Sequence, residues 1–161
     1  MSHNICGLIV DGAYDTSLAE SLDLRPMLTY GQLTLLPINH YWSAVQAAVR
    51  SRPGTLDMPV DGLIPTEAVI VDIVRELTKL EAPRFAIIFT EYFGGMGEQC
   101  ASAFAGERRL TTGSSINESL RALGVVAAPG LDEFDTVGLA HHRHNPSYLA
   151  VYANRADELG V

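Results

Sequence analysis

The chain has 161 residues, of which 47% are apolar and 19% charged, and its formal net charge is −8. This length and composition predict a single globular domain over residues 1–161, and no apolar run approaches the length of a membrane span. An acidic chain without a basic stripe argues against nucleic-acid binding, and its charge suits either a basic protein partner or solubility alone.

The N-terminal stretch MSHNICGLIVDG lacks the basic region of a signal peptide and reaches Asp11 too early for one. We therefore expect a cytoplasmic protein. In a reducing compartment, Cys6 and Cys100 are expected to be buried small hydrophobic residues rather than a disulfide. Their separation also does not match a zinc-ribbon spacing.

The first elements in chain order are two strands with a short helix between them. Residues 4–10 form an apolar run that ends at Asp11-Gly12, which predicts a strand. A short helix is expected over Thr16–Leu22, and the alternation in residues 30–36 predicts the second strand.

Two helices and a linker follow. Asn39 is placed to cap the helix HYWSAVQAAVR, whose Trp42 is expected to pack in the core. The linker after it is rich in proline and glycine, and a short strand is possible near Met58–Leu63. The clearest helical period covers residues 66–82, with Thr66 as its cap and Pro83 as its stop.

The second half contains consecutive strands and then short helices. FAIIFTEYF and EQCASAFAG are predicted strands on either side of a glycine run, and Arg108–Thr112 is a possible third. Ser115 and Glu118 have the spacing of a capping box, with Gly124 as the C-terminal glycine of that helix. One helical turn is expected within LDEFDTVGL, and Asn145-Pro146 is expected to start the terminal helix. These elements predict an α+β domain with a mixed or antiparallel sheet, a central β-hairpin and helices packed on one face.

The glycine run GGMGEQ matches neither common phosphate-binding loop. A Walker loop needs Gly-Lys-Ser/Thr after four spacer residues, and the dinucleotide fingerprint needs a helix after its glycines. A hairpin explains the glycines better, because tight turns require positive φ angles. With Gly94–Gly97 as the loop, Phe93 is predicted to pair with Glu98, and Glu91 with Cys100.

Glu91 is the one acidic residue on the predicted apolar face of its strand. Burying a carboxylate is costly unless it is paired or protonated. In one hypothesis Glu91 lies at the rim of the sheet and pairs with Arg84 or Arg109. In the other it is a general base, with Cys100 as a nearby nucleophile.

The segment FTEYFGGMGEQ resembles hairpin segments in small bacterial proteins, some of them immunity proteins for polymorphic toxins. Together with the size, the acidity and the lack of a catalytic motif, this resemblance implies a non-enzymatic, cytoplasmic immunity protein. Such a protein would bind a basic cognate toxin and block its active site. The expected contacts are aromatic anchors and acidic side chains, namely Tyr92, Phe93, Glu98, Asp132, Glu133 and Asp135.

Three histidines, His141, His142 and His144, lie close together before the terminal helix. Clustered imidazoles suggest zinc or nickel, with further ligands from His40, Glu91 or Asp135. The spacing fits no known metal motif, so a solvated loop without metal or cofactor is the favoured interpretation. Two alternatives to the immunity function remain: a small hydrolase or transferase with Glu91 as general base, and a homodimer formed through sheet edges or the terminal helix.

Overall fold

A computed structural model describes residues 2–57 and 67–161 of the chain. The described residues form six strands, six α-helices and two 3-10 helices. The strands are β1 (Ser2–Asp11), β2 (Leu28–Tyr30), β3 (Leu33–Pro37), β4 (Arg84–Phe93), β5 (Met96–Ala105) and β6 (Arg108–Arg109). The α-helices are α1 (Thr16–Ser21), α2 (His40–Val49), α3 (Ala68–Thr78), α4 (Ile116–Ala122), α5 (Glu133–Thr136) and α6 (Val151–Leu159), and the 3-10 helices are Leu139–His141 and Ser147–Ala150.

All six strands belong to one antiparallel sheet in the order β2-β3-β1-β4-β5-β6. The central strands β1 and β4 pair along almost their whole length, from Ser2 opposite Phe93 to Val10 opposite Phe85. Side chains on both faces of these strands are buried, because helices cover the sheet on two sides. The predicted α+β class and the antiparallel sheet with its β4–β5 hairpin are confirmed.

The larger helical layer packs on the face that carries Leu8 and Phe85. It contains buried residues of α1, α2, α3 and α6, including Trp42 and Tyr152. This is the layer that the sequence predicted, and Trp42 is in the core as expected, with its indole Nε1 donating to the carbonyl oxygen of Leu22 (2.9 Å).

A second, smaller layer covers the opposite face of the sheet. Ile116 and Leu120 of α4, together with Val137 and Leu139 further along the chain, pack against sheet residues such as Ile88. The short apolar stripe of α4 therefore has a sheet surface of its own. Within the described residues, no helix is long and apolar enough to span a bilayer.

Several boundaries differ from the sequence prediction. Residues 30–36 are not one strand, because Gly31 has a φ of +57° and turns the chain between β2 and β3. The expected third strand of the hairpin region is only the two residues of β6. The possible strand near Met58–Leu63 and the predicted cap Thr66 lie outside the described residues.

The strongest predicted helix ends earlier than proline would require. Lys79 takes a left-handed conformation (φ 60°) after the last helical residue, Thr78, and its N–H donates to the carbonyl oxygen of Arg75. This C-terminal cap ends the helix four residues before Pro83.

Asn145 was expected to cap the terminal helix, and that prediction is wrong. Its side chain instead joins two parts of the sheet: Oδ1 accepts from the Cys6 N–H (3.1 Å) and Nδ2 donates to the Ile38 carbonyl oxygen (2.7 Å). On the same stretch, the backbone of Asn4 bonds to Arg143 and Asn145 where β3 no longer pairs with β1. The polar segment before the last helix thus completes the edge of β1.

We predict that Asn145→Ala lowers the free energy of unfolding by about 2 kcal/mol, because two partly buried backbone groups lose their partner. Asn154→Ala, an exposed asparagine on α6, is the matched control and should change stability by less than about 0.5 kcal/mol. Urea denaturation of the two variants measures the difference. Equal midpoints for both would show that the Asn145 bridge contributes no stability.

Glu118 anchors the turn that leads from β6 to α4. Its carboxylate accepts hydrogen bonds from the backbone N–H groups of Thr112 and Gly113, and the Ser115 hydroxyl accepts from the Glu118 N–H (3.0 Å). Ser115 therefore caps α4, as predicted. Glu118, the glutamate of the predicted capping box, instead bonds to backbone N–H groups that precede Ser115. The N–H groups of Gly113 and then Thr112 hold the pKa of Glu118 below its ordinary value of 4.5.

A carboxyl whose pKa is lower in the folded than in the unfolded state stabilises the fold above the unfolded pKa and loses that effect as the pH falls through the folded pKa. We therefore expect Glu118→Gln to be less stable than the parent at pH 7. The two proteins should converge as the pH is lowered from about 4.5. Thermal melts from pH 7 to pH 2 test this, and a constant gap across the range would contradict it.

Candidate functional site

The turn of the β4–β5 hairpin contains two residues, Gly94 and Gly95. Their φ angles are +58° and +80°, as a type I′ turn requires, and Phe93 pairs directly with Met96. The predicted four-residue loop is therefore wrong. Two consecutive glycines with positive φ close the turn, so Met96 and Gly97 belong to the strand.

The shorter turn moves the register of the hairpin by two residues. Glu91 lies opposite Glu98 and not opposite Cys100, which pairs with Phe89. The predicted pairing of Phe93 with Glu98 is wrong for the same reason. Since the shift is an even number, every side chain keeps its predicted face.

Gly97 is required for a different reason from the two turn glycines. A Cβ atom at this position would lie 1.8 Å from the carbonyl oxygen of Glu91 and 2.7 Å from the Cα of Tyr92. The neighbouring strand thus approaches too closely for any side chain.

The face of the hairpin that continues from the larger core changes character towards the turn. Phe85 and Ile87 are fully buried and Phe89 is partly buried, whereas Glu91 is exposed. Beyond it, Phe93 is 81% exposed and Met96 80% exposed. Glu91 is thus the point where the apolar face leaves the core, which explains an acid in an otherwise apolar alternation.

This exposed end combines two apolar and two acidic side chains on one face: Phe93, Met96, Glu91 and Glu98. Directly opposed like charges on neighbouring strands destabilise a sheet. The described residues show no ion pair to either carboxylate, so the expected pairing of Glu91 with Arg84 or Arg109 is not formed; Arg84 approaches Asp11 (3.7 Å) and Arg109 donates to Ser102 (3.0 Å). We call these four side chains the hairpin-end face.

Tyr92 points to the other face of the hairpin. Its hydroxyl accepts a hydrogen bond from Nε2 of Gln99 (3.2 Å), whose Oε1 accepts from the Ile116 N–H (3.2 Å). This chain of bonds fixes the strand to the start of α4. Of the two predicted aromatic anchors, Phe93 is therefore freely exposed and Tyr92 is partly buried.

Cys100 lies in the interior beside the hairpin-end face. Burial raises the pKa of its thiol, with an opposing effect from the charge of Arg109. A raised pKa disfavours the thiolate that a nucleophile requires. Glu91, which was expected to activate it, lies two residue pairs further towards the turn, opposite Glu98.

The acidic residues of LDEFDTVGL are placed on the other face of the sheet, around α5. Asp132 caps the helix by accepting from the Asp135 N–H (2.8 Å). Glu133 is buried and its carboxylate accepts from Nε of Arg121 (2.6 Å), so it is not part of the expected acidic surface. Asp132 and Asp135 are exposed, but they do not join the hairpin-end face.

The histidines form no shared metal site in the part of the chain that the structure describes. His141 ends a 3-10 helix, while His144 forms a parallel bridge with Asn4. No group of three potential histidine, cysteine or carboxylate ligands converges within residues 2–57 and 67–161.

Sequence reasoning missed Met96 and the backbone of Gly97 and Gln99. The four-residue loop placed Met96 in the turn, where its side chain has no defined face. The signal was the pair Gly94-Gly95 itself, since two adjacent glycines between strand-forming runs are sufficient for a type I′ turn. Comparison with protein-family models, with curated proteins and with solved structures gives no match to this chain.

We predict that Gly97→Ala destabilises the protein by about 1–3 kcal/mol, because its methyl group overlaps the backbone of β4. Gly94→Asn is the matched control: asparagine tolerates this turn position and Asn-Gly favours a type I′ turn. Its stability should stay within about 0.5 kcal/mol of the parent. Chemical denaturation measures both, and a neutral Gly97→Ala would refute the close strand approach.

Proposed function

We propose that this protein is a non-enzymatic binding module that recognises a basic protein through its hairpin-end face. The observation that carries the proposal is the exposed pair Phe93 and Met96 beside the opposed carboxylates of Glu91 and Glu98. The partner class that the resemblance of FTEYFGGMGEQ suggests is a toxin, with this chain as its immunity protein.

The chemistry of the face favours a lysine or arginine side chain from the partner. A cation between Glu91 and Glu98 would relieve their mutual repulsion, and its aliphatic stem would lie along apolar surface. Phe93 adds an aromatic ring that attracts a cation, and both apolar side chains lose water on contact. The net charge of −8 would also steer a basic partner towards the chain.

The enzymatic alternative, with Glu91 as general base, has less support. Catalytic carboxylates are typically placed in clefts, where burial tunes their pKa. Glu91 is on an exposed strand next to two exposed apolar side chains, and Cys100 is a buried thiol whose pKa is raised. The hairpin-end face has the composition of a protein contact rather than that of a reaction centre.

The carboxylates of Glu91 and Glu98 face each other and repel, so they should lower the stability of the free protein. We therefore predict that Glu91→Gln or Glu98→Gln raises the free energy of unfolding by about 0.2–1 kcal/mol while weakening partner binding. Urea denaturation gives the first quantity. An unchanged or lowered stability would show that the two charges do not oppose each other.

Binding is tested by native capture from the lysate of the source organism, with proteins identified by mass spectrometry. The baits are the parent, Glu91→Gln/Glu98→Gln, Phe93→Ser/Met96→Ser, and a charge-matched control on α6, Asp157→Asn/Glu158→Gln. We expect one stoichiometric basic protein with the parent and the control, and its loss with both hairpin variants. Equal capture by all four baits, or no partner with the parent, would overturn the proposal.

A further inference from the structure

The outer edge of β5 is covered along only part of its length. The Ala101 N–H donates to the Ser114 carbonyl oxygen (2.8 Å), and the Leu110 N–H donates to the Ala103 carbonyl oxygen (2.7 Å). The chain from Leu110 to Ser114 therefore occupies the position of a neighbouring strand there. Towards the turn, the residues from Met96 to Gln99 are exposed and have no such neighbour in the described part of the chain.

The alternation of an antiparallel pair shows which backbone groups are open at this edge. Backbone groups of successive residues point to opposite sides of a strand. Since those of Ala101 and Ala103 point outward, those of Gly97 and Gln99 do so as well. These two residues present two N–H donors and two carbonyl acceptors to a further strand.

The open edge adjoins the hairpin-end face. A residue placed directly opposite Glu98 on an added strand would point to the face that carries Glu91 and Glu98. Because Glu98 uses its backbone groups towards β4, this pair would be a non-hydrogen-bonded one, in which opposed side chains lie closest. A cationic residue is favoured at that place by charge.

A second copy of this chain is a poor occupant of the edge. Symmetric pairing that uses all four open backbone groups sets Gly97 opposite Gln99 of the second copy, which places Glu98 opposite Glu98. Two carboxylates from each chain would then meet on one face. Such inward-facing like charges are a known way to prevent edge-to-edge association.

We propose that the partner contributes an extended basic segment that pairs antiparallel with β5 as a seventh strand, with a lysine or arginine opposite Glu98. This inference rests on the proposed function and specifies its binding mode. Gly97 and Gln99 supply backbone hydrogen bonds that give affinity, and Glu98 supplies selection for charge.

The test uses the full chain labelled with ¹⁵N and a capped seven-residue peptide that alternates valine and lysine, beginning and ending with valine. Three further peptides serve as comparisons: one with glutamate for lysine, one N-methylated at its last three valines, and one N-methylated at its three lysines. In the proposed pairing the valine N–H groups face β5 and the lysine N–H groups face away. The two methylated peptides therefore carry equal modification at opposite edges.

We expect the lysine peptide to shift the amide signals of Gly97 and Gln99 and to slow their hydrogen exchange. Methylated valines should weaken binding by about tenfold or more, and methylated lysines by less than about threefold. The glutamate peptide should not bind. Glu98→Gln should weaken the lysine peptide without changing where it binds.

Other results separate the binding mode from the function. Suppose that the lysine peptide binds, that Glu98→Gln weakens its binding, and that the two methylated peptides bind equally well. Strand addition is then overturned, while binding of a basic partner to the hairpin-end face is supported. If neither charged peptide shifts any signal of residues 91–99, both proposals are overturned. If sedimentation shows a dimer and Gly97 and Gln99 are protected without peptide, the edge belongs to a second copy and the inference is overturned.

A matched pair of variants tests the open edge from the protein side. Gln99→Pro removes the outward N–H, while Gln99→Ala keeps it and removes the side-chain bonds to Tyr92 and Ile116. We expect the lysine peptide to bind the alanine variant at least tenfold more tightly than the proline variant. Equal affinity in folded variants would contradict strand addition.

Discussion

The two-residue turn at Gly94-Gly95 is the constraint on which the rest of this account depends. It fixes the register of β4 against β5. Because side chains and backbone groups alternate along a strand, one register decides three things together. It sets Glu91 opposite Glu98, exposes Phe93 and Met96 on the same face, and directs the backbone of Gly97 and Gln99 outward.

The chain closes its other irregular strand positions with its own segments. Asn145 and the backbone of Arg143 complete β1 where β3 leaves it, and residues 110–114 cover the second half of β5. Glu118 holds the latter segment through two backbone N–H groups. The first half of β5 differs, because no segment of the described residues covers its edge. It also contains a glycine and carries an acidic side chain on one face. An open sheet edge can accept an extended segment as a further strand, and the acidic face disfavours a second copy of this chain there.

Much of the fold was predictable from local patterns. Residues close together in sequence were sufficient to identify several elements. These signals were the apolar alternation of β1 and β4, the caps at Asn39 and Ser115, and the glycine at position 124. Two of the failures depended on contacts distant in sequence. Asn145 has the local signature of a helix cap, yet its amide satisfies backbone groups of Cys6 and Ile38, more than a hundred residues away. The second helical layer likewise follows from which face α4 meets, which the period of α4 alone does not specify.

The candidate site was predictable in composition and not in arrangement. Glu91 was identified as the acid on an apolar face, and that face is correct. Its neighbour was wrong, because a four-residue loop and a two-residue turn differ by two positions and both can contain these glycines. Glu133 shows the reverse case: its charge suggested solvent exposure, while the pairing with Arg121 depends on how α4 and α5 pack.

The side to which each backbone amide of β5 points, towards β4 or towards the open edge, can be measured directly by amide hydrogen exchange in the free protein. We predict an alternation in which the amides of Glu98, Cys100 and Ala101 exchange slowly while those of Gly97 and Gln99 exchange fast. Slow exchange at Gly97 and Gln99 together with fast exchange at Glu98 would contradict it. The opposed carboxylates and the open edge would then both be lost as a basis for binding.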